Sequence, residues 1–147
     1  MSATSVKTVR DVLTAFAGQD LVAFVRDTAP EQMHAVMEAV FDPDIEVIWV
    51  DTSPDAGPYR GRDGALRAMT DWLESFDEFR FSPDEFIDGG DDVVVPNHQQ
   101  GRGRGSGALV QMRTTWLCTV HDARIARIRE YSTKARALEP AELNELQ

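Results

Sequence analysis

The chain has 147 residues, enough for one domain that buries one core. Hydrophobic residues make up 42% and charged residues 27%, the composition of a folded globule and not of a disordered chain. With 15 basic against 25 acidic residues the net charge is −10, which disfavours nucleic acid and anionic lipid, since both require a basic surface.

Cys118 is the one cysteine, so an internal disulfide and a multi-cysteine metal site are excluded, and a reducing cytoplasm is the expected setting. The N-terminal stretch lacks the basic and apolar regions of a signal peptide. No apolar run is long enough for a membrane helix, so no membrane association is expected.

Ser5 to Phe16 reads as a first helix, with Val9, Val12, Leu13 and Phe16 on one face and Gly18 as its stop. Asp20 is placed to cap a second helix carrying Leu21, Phe24 and Val25. Pro30 opens a third, with Met33, Val36, Met37 and Val40 as its apolar stripe. Asp42-Pro43-Asp44 has turn chemistry, and Ile45 to Asp51 reads as a first strand. Thr52 to Gly61 is a loop, and Asp63 to Phe76 a helix with Leu66, Met69, Trp72, Leu73 and Phe76 in register.

Four strands follow. Phe79 to Ile87 is interrupted at Ser82-Pro83, Val93 to Gln100 follows the Gly89-Gly90-Asp91 turn, and Gly101 to Gly107 is a flexible hairpin loop. Leu109 to Val120, a turn at His121-Asp122-Ala123, and Arg124 to Ser132 complete the meander; Ala135 to Leu146, broken at Pro140, is a weak terminal helix. Helices first and a long meander after them predict an α+β fold: a curved antiparallel β-sheet with helices packed on its concave face, a cone that encloses a pocket.

From Phe41 onward several motifs occur in a characteristic order: FDPDIEVIW (Phe41 to Trp49), GPYRGRDGALRAM (Gly57 to Met69), EFIDGGDDVVV (Glu85 to Val95), GRGRGSG (Gly101 to Gly107) and ARIARIREY (Ala123 to Tyr131). By these the chain resembles the SnoaL-like branch of the nuclear transport factor 2-like superfamily, which implies one domain over residues 1–147, a cystatin-like roll. The resemblance also implies a homodimer through the outer sheet face and a pocket for a small apolar molecule; no cofactor is expected, and three scattered histidines make no metal site. One departure is the extra helical segment around Pro30, which would lie near the mouth of the cone.

Strand alternation places Ile45, Val47, Trp49 and Asp51 on one side, as it does Val94, Pro96, His98 and Gln100, then Met112, Thr114, Trp116 and Cys118, then Ile128, Glu130 and Ser132. With these sides inward, Asp51, His98 and Glu130 are the catalytic candidates. A carboxylate in an apolar pocket has a raised proton affinity, and an imidazole beside it titrates near neutrality. Asp51 lies close to the position of the general base in ketosteroid isomerases; its alternative role is a turn residue accepting a backbone hydrogen bond near Ser53. His98 is similar to the pocket histidine of SnoaL-like cyclases, although Trp116 stands where their aspartate would be; its alternative is a histidine hydrogen-bonded within the sheet. Glu130 is either a buried acid with a partner or half of a salt bridge to Arg113 or Arg127.

Trp49, Tyr59, Trp72, Gln100, Met112, Trp116 and Ile128 are the ligand-binding candidates, with plain packing as the alternative for the aromatic ones. The steroid isomerase oxyanion pair is missing, since Val12 and Trp116 occupy its positions. Two functions compete. One is a cofactor-free isomerase, cyclase or hydratase that moves a proton on a small apolar carbonyl or polyketide-like molecule. The other is a non-catalytic ligand-binding or dimerisation domain.

Overall fold

The computed structural model describes residues 2–54 and 57–141. Helix α1 (Ser2–Phe16) begins earlier than its apolar spacing indicated. Gly18, at φ +77°, then turns the chain and donates its N–H to Phe81 O. Asp20 caps α2 (Leu21–Asp27) as expected: one carboxylate oxygen accepts from Val22 N at 3.1 Å and from Phe79 N at 3.2 Å. The cap therefore also pins the helix to the sheet. Pro30 opens α3 (Pro30–Val40), which buries Met33 and Met37.

Strand β1 (Phe41–Trp49) starts earlier than predicted, because Asp42-Pro43-Asp44 forms an irregularity inside the strand and not a turn before it. Asp44 N donates to the Asp42 carboxylate there, at 2.9 Å. A short β2 (Tyr59–Arg60) pairs with β1, and α4 (Gly61–Leu73) follows it. Phe76, assigned to this helix by its spacing, instead begins β3 (Phe76–Pro83) and turns its ring into the core. After β4 (Ile87–Gly89) come β5 (Asp92–Gly103), β6 (Leu109–His121) and β7 (Arg124–Tyr131). The terminal helix α5 (Lys134–Leu138) is shorter than expected, and the remainder of that expectation, from residue 142, lies outside the described residues.

The sheet has seven strands in the order β2-β1-β7-β6-β5-β3, with β4 also paired to β5. All pairings are antiparallel except β1 with β7, so the predicted antiparallel sheet carries one parallel pair, where the first strand folds back beside the last. Helices α1 to α4 pack on the concave face, as the α+β roll requires.

The outer face is not uniformly wet. α5 lies across it and buries Val94, Leu117 and Tyr131 under Ala137 and Leu138. Leu138, 2% exposed, contributes on the order of 2 kcal/mol through that burial. Consequently Val93, Val94 and Val95 are all fully buried, although alternate side chains point to opposite faces. No helix among the described residues is long and apolar enough to cross a membrane.

Candidate functional site

Between the helices and the concave sheet lies a cavity of about 180 Å³. Its walls are almost wholly apolar: Val12 and Phe16 from α1, Ala68, Met69 and Trp72 from α4, and Val47 and Trp49 from β1. The segment around Pro30 takes part directly, since Leu21, Phe24, Met33, Val36 and Met37 line the same space. The departure noted in the sequence thus becomes a wall of the cavity.

Polarity is confined to one corner. Glu130 faces Trp49 across the parallel pair and Trp116 across the antiparallel pair, so sheet register sets its carboxylate between two indoles. It is 8% exposed. One oxygen, Oε2, accepts from Trp116 Nε1 at 2.7 Å, from Gln99 Nε2 at 3.0 Å and from Thr114 Oγ1 at 3.3 Å. The other, Oε1, accepts from Thr52 Oγ1 at 2.6 Å. Gln99 Nε2 also lies at 3.1 Å from Asn97 Oδ1 and 3.0 Å from Thr114 Oγ1, which extends the network along the inner face of β5 and β6. The arginines considered as partners for Glu130 are engaged elsewhere, Arg127 with Glu46 at 3.4 Å and Arg113 with Asp84 at 3.4 Å.

The other two catalytic candidates do not reach this corner. Asp51 lies just beyond β1 and turns away from the cavity. Its carboxylate accepts from Ser132 N at 2.8 Å, Ser132 Oγ at 2.6 Å and Arg136 Nη1 at 2.7 Å. The Ser132 hydroxyl, with help from the Ser132 backbone and the Arg136 charge, holds its pKa below the ordinary 3.8 against the opposing effect of burial. Asp51 is therefore a latch between the end of β1 and the start of α5. The turn alternative is right in kind, but the backbone partner is Ser132 and not a residue near Ser53.

His98 is exposed on the outer face, its Nδ1 2.8 Å from Asp84 Oδ1. The expected inward set of β5, Val94, Pro96, His98 and Gln100, is the outward set. Val93, Val95, Asn97 and Gln99 face the helices, a shift of one residue that exchanges the faces of the strand. The cause is α5, which makes both faces apolar around Val94 and removes the alternation that would have told them apart.

Among the ligand-binding candidates, Trp49, Trp72, Trp116 and Ile128 line the cavity. Gln100 is exposed on the outer face. Met112 sits opposite Gln99 on the inner face but outside the cavity lining. Tyr59 packs against the core edge, with the Arg67 guanidinium 5.9 Å from its ring centre, and does not reach the cavity. The residues that sequence reasoning missed are Thr52, Ser53 and Gln99 in the lining and Asn97 behind it, while Thr114 faces inward as its strand's alternation placed it. Phe79 and Phe81 held the missing signal: both turn inward, and they pair with Gly101 and Gln99. A side chain at Gly101 would strike the Phe76 ring at 2.6 Å, which confirms that this position faces in.

Cys118 also lines the cavity, and burial pushes its thiol pKa up to about 12, with a smaller contribution from Asp92. It is an inert wall residue at neutral pH.

A family model for the SnoaL-like domain matches residues 9–128. No curated protein matches the chain in sequence. An NTF2-like protein from Burkholderia thailandensis is similar in structure, with TM-score 0.66, 23% identity, and coverage of 94% of this chain and 96% of that one. A SnoaL-like polyketide cyclase candidate from Jannaschia sp. CCS1 has TM-score 0.66 and 18% identity, over 88% of this chain and 85% of that one. TerC, co-crystallised with polyporic acid, has TM-score 0.63 and 18% identity, over 95% and 98%.

Proposed function

The chain belongs to the SnoaL-like domain family, and on that premise we propose that it holds a small, largely apolar molecule in the cavity with Glu130 as the polar anchor. The observation that carries this reading is a buried carboxylate at one corner of an otherwise greasy space. Apolar walls supply affinity through area removed from water, and one fixed polar group supplies orientation. The similarity to TerC, crystallised with polyporic acid, supports a ligand in this chain as well.

Size narrows the class. An apolar cavity of about 150 Å³ holds benzene, so about 180 Å³ suits one ring with short substituents. Ligands of that size at a hundredfold excess over Kd stabilise a protein by about 2.7 kcal/mol, or roughly 5 °C or more in Tm. A thermal-shift panel of substituted benzenes and monoterpenes is expected to contain members with that effect. The shift should vanish in Ala68→Leu, which fills the cavity from α4. A panel that leaves Tm unmoved in the unsubstituted protein would end this reading.

Acid–base catalysis is the second reading, and it rests on Glu130 alone, the one carboxylate in the lining among the described residues. Glu130 would take a proton from the bound molecule and return it at another position. Solvent deuterium incorporation into a bound ligand, lost in Glu130→Gln, is the expected sign; equal incorporation in both proteins would refute it.

The same reading treats residues 1–147 as one cytoplasmic domain that pairs through the outer sheet face. The strip available beside α5 carries His98, Gln100 and Arg113, so such a dimer would be polar, and its mass by light scattering should fall at high salt.

A further inference from the structure

We infer that Asp51, which points away from the cavity, is a positioning residue for it: the latch to Ser132 and α5 holds Thr52 in place, and through Thr52 the Glu130 carboxylate. The inference rests on the small-molecule reading above and adds to that site a residue that touches no ligand.

Three consecutive residues grip the end of β7 from different sides. Val50 N donates to Glu130 O at 3.0 Å. The Asp51 carboxylate accepts from Ser132 N at 2.8 Å, Ser132 Oγ at 2.6 Å and Arg136 Nη1 at 2.7 Å. Thr52 Oγ1 donates to Glu130 Oε1 at 2.6 Å. The Cα atoms of Asp51 and Thr52 are joined across one peptide, about 3.8 Å apart, so neither shifts far without the other. Their side chains nevertheless diverge, Asp51 toward the start of α5 and Thr52 into the cavity lining beside Ser53.

The latch ends in packed structure. Ala137 and Leu138 of α5 bury Val94, Leu117 and Tyr131. Thr133 Oγ1 caps the helix by accepting from Arg136 N at 3.3 Å, and Lys134 Nζ donates to Glu85 Oε1 at 2.9 Å. The Asp51 side chain is itself only 18% exposed, so water competes weakly for its bonds to Ser132.

The two oxygens of Glu130 depend on this turn unequally. Oε2 has Trp116, Gln99 and Thr114 around it, all on the sheet. Oε1 has Thr52 alone among the described residues, and Thr52 stands beyond the end of β1. Without Asp51, ordering that turn would fall partly to the ligand, which would bind more weakly by the entropy it has to supply. With the latch made, the turn is ordered before any ligand arrives.

Calorimetry tests this with toluene and three polar counterparts: 4-methylphenol, 4-methylacetophenone and 4-methylbenzylamine. The tightest of the three serves as the polar probe. Asp51→Ala should weaken that probe by about two- to tenfold, the range for ordering one side chain on binding, and leave toluene, which needs the walls alone, unchanged. Asp51→Asn keeps an oxygen for Ser132 and should stay closer to the parent. Thr52→Val should also weaken the probe, and the double variant should be no weaker than Thr52→Val alone, because both act along one route. Additive losses, or an equal loss for toluene, overturn the positioning role.

A second readout needs no ligand. The Trp116 indole N–H donates to the same carboxylate at 2.7 Å. Its NMR resonance, assigned with Trp116→Phe, should move in Asp51→Ala in the same direction as in Thr52→Val. Movement in Thr52→Val alone overturns the role. Should Asp51→Ala fail to fold, Ser132→Ala removes one hydroxyl from the latch and keeps the backbone donor. It should show the same pattern in smaller measure, and parental values there count against the role. Absence of binding by all four probes ends the cavity reading, and the indole resonance then decides the positioning role by itself.

Discussion

The two faces of β5 carry the same kinds of side chain and do opposite things with them. On the inner face Asn97 and Gln99 are almost fully buried, and their amides are tied to Thr114 and Glu130. On the outer face His98 is exposed, and Gln100 lies open beside it. The outer cluster of His98, Asp84 and Arg113 holds a histidine–carboxylate contact at 2.8 Å, as short as many in active sites. Water reaches all of it, so its charges are screened and its geometry costs little to break. The inner cluster is largely buried, so a lost partner there is not readily replaced by bulk water. Hydrogen-bond length thus says little about function here; exclusion of water and access to the cavity say much more.

Substitutions can break this contrast in graded steps. Glu130→Ala should have the largest effect, because it leaves Trp116 and Thr52 without their acceptor in a buried corner and removes one of the three acceptors around Gln99. A loss on the order of 3 kcal/mol in urea unfolding is expected. A loss below about 1 kcal/mol would mean that the inner network is as loose as the outer one.

Asp51→Asn should come next, with a pH signature. Because the folded-state pKa of Asp51 lies below its ordinary 3.8, its stabilising contribution is present above that value and is lost as pH falls through the lowered one. The variant should be less stable than the parent by about 1 kcal/mol at neutral pH, and the two should converge in strongly acidic solution. A gap between them that stays constant into strongly acidic solution would argue against the latch, since the Asp51 carboxyl of the parent would by then be as neutral as the amide that replaces it.

His98→Ala should change stability by less than about 0.5 kcal/mol and leave ligand affinity unmoved. If it abolished binding, the assignment of inner and outer faces would be wrong.

Much of the fold was legible in advance because its signals are local. Asp20 before Leu21 and Pro30 before Glu31 mark helix starts by side-chain chemistry that acts within one turn. The hairpin between β6 and β7 was legible for the same reason: Asp122 and Ala123 both adopt positive φ, 51° and 61°, as a two-residue turn there requires. Phe76 failed because helical spacing continues one step past the real end of α4, and its burial against Phe79 and Trp72 decides for strand. Glu130 was legible as an inward acid because it stands two residues beyond Ile128, which also lines the cavity.

His98 was misread for a reason that no local pattern could repair. Val93-Val94-Val95 is apolar at three successive positions because α5 covers the outside of the sheet while the cone covers the inside. Period-two alternation exists only where one face meets water, and here neither does.

What the amino-acid sequence determined by itself was the order of elements, most of their boundaries, the α+β roll and the apolar character of the enclosed space. What only the tertiary structure decided was which polar groups look into that space. Facing depends on strand register, and register is set by partners far along the chain: Gln99 against Phe81, Glu130 against both Trp49 and Trp116. Those contacts are distant in sequence and adjacent only once the sheet has closed around the helices.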